Sequence, residues 1–100
     1  MGYELRQLPS AKVELEAAME YLELYSHKKA KRLMGEYKEM LGQIMSGTVL
    51  HSLSMNDYLA ALGYRTAFLK EGYGFLYYLE ADTVVVAHFF SQRQDYARLV

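Results

Sequence analysis

The chain has 100 residues, and we expect one domain over residues 1–100. Hydrophobic residues are 52% and charged residues 23% of the sequence, which excludes a disordered chain. The absence of cysteine excludes disulfides and thiolate sites, and the formal net charge of −1 argues against nucleic-acid binding by phosphate neutralisation. No stretch approaches the roughly 20 apolar residues of a membrane helix, and residues 1–8 lack a secretory apolar core, so we expect a cytoplasmic protein without membrane contact.

The first predicted element is a short strand, at about residues 3–8, in which alternate residues share one face. Pro9 ends this strand, and Ser10 is a candidate N-cap for the next element. A helix is predicted over 11–25 because apolar residues recur at helical spacing, namely Ala11, Leu15, Ala18, Met19, Leu22 and Tyr25. The glutamates lie mostly off this stripe, which indicates an amphipathic helix.

A second helix is predicted over 27–45 from a similar stripe, with Ser26 as its candidate N-cap and Gly47 just after its end. Because so few residues separate the two helices, we expect an antiparallel hairpin. The basic run over 28–32 is either a solvated helix start, offset by glutamates of the first helix, or a phosphate-facing patch.

Three antiparallel strands are predicted in the second half of the chain, at 64–70, 75–80 and 83–90, with a glycine-rich turn at 71–74. The stretch 48–62 is less regular, and Asp57 could cap a short turn of helix through Leu62. The sequence therefore predicts an α+β fold: an N-terminal strand, an antiparallel two-helix hairpin, and a three-strand antiparallel meander packed on the helices.

The second and third strands of this meander are apolar at nearly every position, so both of their faces require cover. The helix hairpin covers one face. We expect the other face to be an exposed aromatic surface that binds a partner, with a homodimer as one alternative. The residues assigned to partner binding are Tyr73, Phe75, Tyr77, Phe89, Arg93 and Asp95.

Arginines and tyrosines are expected to converge at one end of the sheet. They are Arg65 on the first strand of the meander, Tyr77 and Tyr78 on the second, and Arg93, Asp95 and Tyr96 after the third. Without a metal, such side chains suit either phosphate clamping for RNA strand cleavage or the anchoring of a protein interface. A structural alternative is that Asp95 caps a last helical turn over 96–99 and Arg93 pairs with a carboxylate.

No sequence pattern predicts a metal or a cofactor. His27, His51 and His88 are far apart and lack a second ligand at metal-binding spacing. The glycines at 72 and 74 are not followed by a predicted helix, so this segment is a turn and not a nucleotide-binding loop.

The order of elements and several short motifs resemble the RelE/ParE superfamily, the toxins of bacterial type II toxin–antitoxin systems. The motifs are Leu8-Pro9 before the helix hairpin, Gly63-Tyr64-Arg65, the segment 73–78, the valine-rich strand and Arg93-Gln94-Asp95-Tyr96. The resemblance covers nearly the whole chain in the order of elements, and roughly its last two fifths in sequence pattern.

This resemblance implies a cytosolic toxin encoded beside a cognate antitoxin that wraps it. ParE-like members poison DNA gyrase by protein contact and are not known as enzymes, whereas RelE-like members cleave mRNA on the ribosome with basic residues and often a C-terminal tyrosine or histidine. If the chain is a nuclease, its candidate catalytic residues are Arg65, Arg93, Tyr96 and Tyr78.

The chain departs from RelE-like nucleases in two ways. Those nucleases tend to be strongly basic, whereas this chain has a formal net charge of −1. Many relatives also carry a histidine where this chain has Ser91. Both departures favour the ParE-like branch, with a RelE-like endoribonuclease and a non-toxic interaction module of the same fold as alternatives.

Overall fold

The computed structural model describes residues 2–100, in which helices and strands follow the predicted order. The elements are β1 Glu4–Gln7, α1 Pro9–Tyr25, α2 His27–Met45, α3 Asp57–Ala61, β2 Arg65–Phe68, β3 Tyr73–Glu80, β4 Thr83–Ser91 and a 3₁₀ helix, Tyr96–Leu99, here called the C-terminal turn. The strands form one sheet in the order β1-β4-β3-β2. The α+β prediction is confirmed.

The sheet is mixed because β1 pairs in parallel with β4, with Leu5 opposite Val84. The other pairs are antiparallel, as predicted for a meander. A β-bulge interrupts the β3–β4 ladder: Leu76 pairs with His88 but Tyr77 pairs with Val86, so Ala87 is the extra residue.

Helix α1 begins earlier than predicted, at Pro9, which occupies the first helical position that proline favours. The prediction of Ser10 as N-cap is wrong, since Leu8 holds that position and has no side-chain cap bond. The Ser10 hydroxyl instead donates to the Ala87 carbonyl at 2.8 Å.

One side chain of α1 also bonds to the outer edge of β4 beyond the point where β1 stops pairing. Glu14 Oε1 accepts from the Phe89 N–H at 3.3 Å and lies 3.0 Å from His88 Nδ1. Together with Ser10, Glu14 satisfies backbone groups that a neighbouring strand would otherwise bond. Helix α1 therefore covers the part of this edge that β1 leaves open.

The boundaries of α2 agree with the prediction. Ser26 caps it, because its Oγ accepts from the Lys29 N–H at 3.3 Å, and Gly47 has a positive φ of 79° just after its end. Asp57, by contrast, does not cap α3. Asn56 does, with its Oδ1 accepting from the Leu59 N–H at 3.1 Å.

A tight hairpin joins β2 and β3. The Leu69 N–H donates to the Tyr73 carbonyl at 2.7 Å, and Gly72 takes a positive φ of 85° in the turn between them. Such a conformation favours glycine, since it has no Cβ to clash with the backbone. Strand β3 consequently starts at Tyr73, earlier than predicted.

The main core lies between the helix hairpin and one face of the sheet. Its buried residues are Ala11, Leu33, Tyr37, Leu41, Ile44, Ala67, Leu69, Phe75, Tyr77, Val84, Val86 and Phe89. Tyr37 makes edge-to-face contacts with Phe75 and Phe89, at centroid distances of 5.2 and 5.5 Å, which join α2 to the two central strands.

The opposite face of the sheet carries a smaller apolar cluster, here called the second-face cluster. Leu59 of α3, Leu76 of β3 and Phe90 of β4 are buried in it, and residues of the C-terminal turn pack against them. The expectation of a bare second face is therefore wrong, because α3 and the C-terminal turn cover it.

Candidate functional site

Arg65, Tyr77 and His51 form a hydrogen-bonded group at the start of β2. Arg65 lies opposite Tyr77 in the ladder, and its Nη1 donates to the His51 carbonyl at 2.6 Å. The Tyr77 Oη accepts from the His51 N–H at 3.1 Å and lies 2.8 Å from His51 Nδ1. Because that Oη already accepts one hydrogen, we assign its own O–H as the donor to Nδ1.

This group carries little charge beyond that of Arg65. Burial lowers the pKa of His51, and the positive charge of Arg65 lowers it further. Burial raises the pKa of Tyr77, although the His51 N–H and Arg65 act in the opposite direction. Imidazole and phenol are both neutral at pH 7, so the group serves mainly to fasten the segment 51–55 to the sheet.

A cleft of about 240 Å³ opens beside this group, between the segment 51–55, β2 and the C-terminal turn. This second-face cleft is lined by His51, Ser52, Leu53, Ser54, Met55, Thr66, Phe68 and Tyr96. Tyr96 is held by stacking on Phe90 at 4.3 Å, with Phe68 edge-on at 6.2 Å. No carboxylate, lysine or arginine of residues 2–100 belongs to its lining.

Thr66 lines this cleft, but its hydroxyl lies below the surface. Its Oγ1 is buried and has no hydrogen-bond partner among the described residues. A buried hydroxyl without a partner costs about 1–3 kcal/mol relative to a bonded one. The cleft therefore combines apolar side chains with the uncharged polar residues His51, Ser52 and Ser54.

Tyr78, the fourth nuclease candidate, belongs to a different group of rings. Its ring packs edge-on to that of Tyr64 at 5.7 Å. Burial raises the pKa of Tyr64, and Tyr78 and Tyr58 raise it further. Tyr78 thus does not line the cleft that contains Tyr96.

Arg93 and Asp95 are both exposed. The Asp95 carboxylate makes no cap bond to the C-terminal turn and instead lies 3.2 Å from Arg98 Nε, so the expectation that it caps this turn is wrong. Arg93 has its N–H bonded to Ser91 Oγ, and no carboxylate of residues 2–100 pairs with its guanidinium. Both residues remain candidates for partner contact.

The register also separates two of the predicted site residues. Arg65 pairs with Tyr77, whereas Ser91, at the end of β4, pairs with Tyr73 four positions earlier on β3. At roughly 3.3 Å per residue this is about 13 Å of backbone, and Arg93 lies beyond Ser91. The expected convergence of Arg65 and Arg93 at one end of the sheet is therefore wrong for their backbones.

The aromatic residues assigned to partner binding are mostly internal. Phe75, Tyr77 and Phe89 are at most 2% exposed and belong to the main core, so they form no exposed aromatic face. Tyr73 is half-buried and stacks on Phe89 at 5.7 Å. The central strands β3 and β4 are apolar on both faces because other parts of this chain cover both faces.

No protein-family model and no curated protein matches the sequence. Solved structures do match. A chain of the chromosomal ParDE TA system from P. aeruginosa has a TM-score of 0.67 at 15% identity, over 89% of this chain and 95% of that one. A point mutant of YafQ from E. coli has a TM-score of 0.61 at 11% identity, over 91% of this chain and 94% of that one. A chain of the E. coli DinJ-YafQ toxin-antitoxin complex also has a TM-score of 0.61 at 11% identity, over 99% of this chain and 98% of that one. The chain has a RelE/ParE-like fold.

Within this RelE/ParE-like fold, α1 has an outer face that sequence reasoning missed. Val13, Tyr21 and Leu24 are 65%, 56% and 80% exposed, and Ala17 and Tyr25 are exposed beside them. The signal was present in the sequence, because 13, 17, 21 and 24 are spaced by four, four and three residues. A second apolar stripe on a helix that already has one indicates a surface that another molecule covers.

The described part of the chain contains no group of three or more His, Cys, Asp or Glu side chains able to hold a metal ion. Among residues 2–100, no helix is both long and apolar enough to cross a membrane.

Proposed function

We propose that the chain is the toxin of a type II toxin–antitoxin module of the plasmid-stabilisation kind. In this proposal it is ParE-like: it acts by protein contact on a target of the DNA gyrase class, and a cognate antitoxin neutralises it. The fold supports the class, because each of the structural matches above comes from toxin–antitoxin proteins or their variants.

The exposed apolar face of α1 carries this proposal. Leu24 alone is 80% exposed, and Val13, Ala17, Tyr21 and Tyr25 extend the patch along the helix. Glu16, Glu20 and Glu23 are exposed along one flank of it. An apolar strip with a charged rim is typical of a protein-binding surface, and it suits a helix of a partner laid along α1.

The chemistry of the second-face cleft favours contact over catalysis. An RNA-cleaving site without a metal needs cations near the phosphate, yet the lining of this cleft is neutral. Arg65, which contacts the lining residue His51, has a guanidinium nitrogen committed to the His51 carbonyl. The other candidate, Arg93, lies beyond the far end of β4.

Expression of the chain, alone and together with the product of its neighbouring reading frame, tests the proposal. Growth arrest that the neighbour relieves is the expected result, with inhibited gyrase supercoiling by the purified chain. If the chain arrests growth but leaves gyrase untouched at concentrations that saturate the antitoxin, the target class is wrong. If growth is normal, the chain is a non-toxic interaction module of this fold.

One observation favours the RelE-like endoribonuclease as a second candidate. His51, Thr66 and Tyr96 line the same cleft, and Arg65 touches His51, so an imidazole, a phenol and a cation are within one region. Ribosome-bound mRNA that is cleaved by the wild-type chain, and far less by Tyr96→Phe and Arg65→Lys, would support it. Equal cleavage by all three, or none by any, would exclude it.

A further inference from the structure

The connection between α2 and α3 includes a segment that lies against the start of β2. Residues 49–55, here called the strap, belong to neither helix. Leu50, Leu53 and Met55 of the strap are all exposed, so they bury little apolar surface. A segment with few buried apolar contacts depends on specific hydrogen bonds and can open without the rest of the fold.

Most of the bonds that fasten the strap to the sheet belong to His51. Its backbone N–H donates to Tyr77 Oη, its Nδ1 lies 2.8 Å from the same oxygen, and its carbonyl accepts from Arg65 Nη1 at 2.6 Å. The strap is also joined through a bridge between Leu53 and Arg65, and the Ser54 N–H donates to the Tyr64 carbonyl at 2.9 Å. Among these bonds, the one at Nδ1 depends on the protonation state of a side chain.

The Nδ1 bond requires a neutral imidazole. Nδ1 accepts the Tyr77 O–H, and protonation would remove the lone pair that accepts it. Because Tyr77 has 0% exposure, its O–H would then lack an acceptor inside the protein. A buried donor without a partner is unfavourable. The closed strap therefore favours the neutral ring of His51.

The charges around His51 also oppose its protonation. The charged and titratable groups that face it are Arg65 of β2, Tyr77 of β3 and Tyr96 of the C-terminal turn, which lines the same cleft. No carboxylate of residues 2–100 lines that cleft or pairs with this imidazole. An imidazolium in the closed strap would thus lie beside a second cation. Burial and Arg65 accordingly lower the pKa of His51.

The other two histidines have different surroundings. His27 Nδ1 lies 2.9 Å from a carboxylate oxygen of Glu23, and His88 Nδ1 lies 3.0 Å from one of Glu14. A protonated ring keeps such a contact, since Nδ1–H donates to the carboxylate. At His51, protonation instead removes a contact. Local opening in response to acid is therefore expected at the strap.

We propose that the strap is a pH-sensitive device: protonation of His51 releases residues 49–55 from the sheet and opens the second-face cleft while the main core stays folded. Release also frees the Arg65 guanidinium from the His51 carbonyl and uncovers the Thr66 hydroxyl, so a neutral cleft acquires a cation and a hydrogen-bonding group. This goes beyond the proposed function, since it requires neither a target nor an antitoxin.

The opening equilibrium should depend on pH through one proton. The open strap binds this proton at the ordinary pKa of histidine, about 6.5, and the closed strap binds it more weakly. The open fraction should therefore rise as the pH falls below about 6.5, by as much as about tenfold per pH unit, until the lowered pKa of the closed state is reached.

A single thiol can report this opening, because the chain has no cysteine. Thr66→Cys places a thiol at the buried Oγ1 position, and Ser52→Cys places one at an exposed position of the strap. Both full-length chains are reacted with a pyridyl disulfide, and the rate for Thr66→Cys is divided by that for Ser52→Cys at the same pH, which removes the common effect of pH on thiols. From about pH 7 to about pH 5 this ratio should rise by about threefold or more.

Two further variants, each combined with both reporter thiols, assign the effect. His51→Gln cannot be protonated, so the ratio should become independent of pH. Tyr77→Phe keeps the ring but removes Oη, so the ratio should already be raised by about threefold or more near pH 7. The proposal is overturned if the ratio without these changes is the same at both pH values, if its rise persists in His51→Gln, or if Tyr77→Phe leaves it unchanged. It is also overturned if amides of β4 lose protection from hydrogen exchange by the same factor, since the whole chain then unfolds.

Discussion

On one face of the sheet lie two helices of 17 and 19 residues, and on the other lie a helix of five residues and a 3₁₀ turn of four. Twelve of the described residues are buried in the main core between the long helices and the sheet, and three are buried in the second-face cluster. Since so short a helix has little stability of its own, the second-face cover depends on a few contacts. We therefore expect the two faces to differ in how readily they open.

The largest expected effect is in the main core. Leu33 of α2 has 0% exposure, so Leu33→Ala should lower the free energy of unfolding by about 2–5 kcal/mol through lost burial and the resulting cavity. Urea denaturation followed by circular dichroism measures it. Leu24→Ala, the same change on the exposed face of α1, is the matched control and should cost about 0.5 kcal/mol or less. Equal losses in the two variants would contradict the assignment of the faces.

On the second face, the matching change is Leu59→Ala. Leu59 is also fully buried, but its cluster contains only two other buried residues among those described. We therefore expect a smaller loss in the free energy of unfolding, about 2–3 kcal/mol. Hydrogen exchange should show faster opening of residues 57–61 and 96–99 while amides of β3 and β4 keep most of their protection. Uniform loss of protection over the whole sheet would show that both faces unfold as one unit.

A smaller effect is expected from pH, through His51. Its pKa is lowered in the folded chain, so below about pH 6.5 the unfolded chain binds more protons. The free energy of unfolding that this group contributes is thus complete above that pH and is lost as the pH falls toward the lowered value. His51→Gln should flatten this part of the stability profile. A wild-type profile that is flat below about pH 6.5 would refute the assignment.

The smallest effect on stability is expected on the exposed apolar face of α1, where a substitution should have its largest effect on partner binding. Leu24→Ser should change the free energy of unfolding by about 0.5 kcal/mol or less, because the side chain is 80% exposed. Under the proposed function it should weaken antitoxin binding by about tenfold, as the loss of a buried interface anchor does. Isothermal titration with the neighbouring gene product measures this. Lys38→Ser, at an exposed position of α2, is the control.

The long elements could be predicted from the sequence because each carries its own period. The stripe of α2 placed its helix at 27–45, the observed bounds, and the valine-rich run placed β4. The parallel pairing of β1 with β4 has no local sequence signal, because Glu4 and Thr83 become neighbours only in the folded chain. Likewise, the cover of the second face comes from short segments whose apolar residues show no clear period, such as Leu59 and Tyr96.

The candidate site was predicted in its residue types but not in its arrangement. The residue types indicate Arg65, Tyr77 and Tyr96 as site candidates, whereas His51 is expected to be an ordinary structural histidine. Nothing in the sequence indicates that it bonds to Tyr77 and Arg65. Its contact to Tyr77 spans 26 positions and cannot be inferred from spacing. The bulge at Ala87 likewise shifts the end of β4 by one residue, a displacement that alternation alone does not show.

The parallel pairing of β1 with β4 has a consequence for how the chain is made. Residues 4–7 leave the ribosome early, but their partners, residues 83–86, are added 79 positions later. Until then the helix hairpin has no β4 to pack on, and the apolar stripes of both helices are exposed to solvent. Sheet closure is thus a late, long-range step, of the kind that folds slowly and leaves nascent chains open to chaperones and proteases.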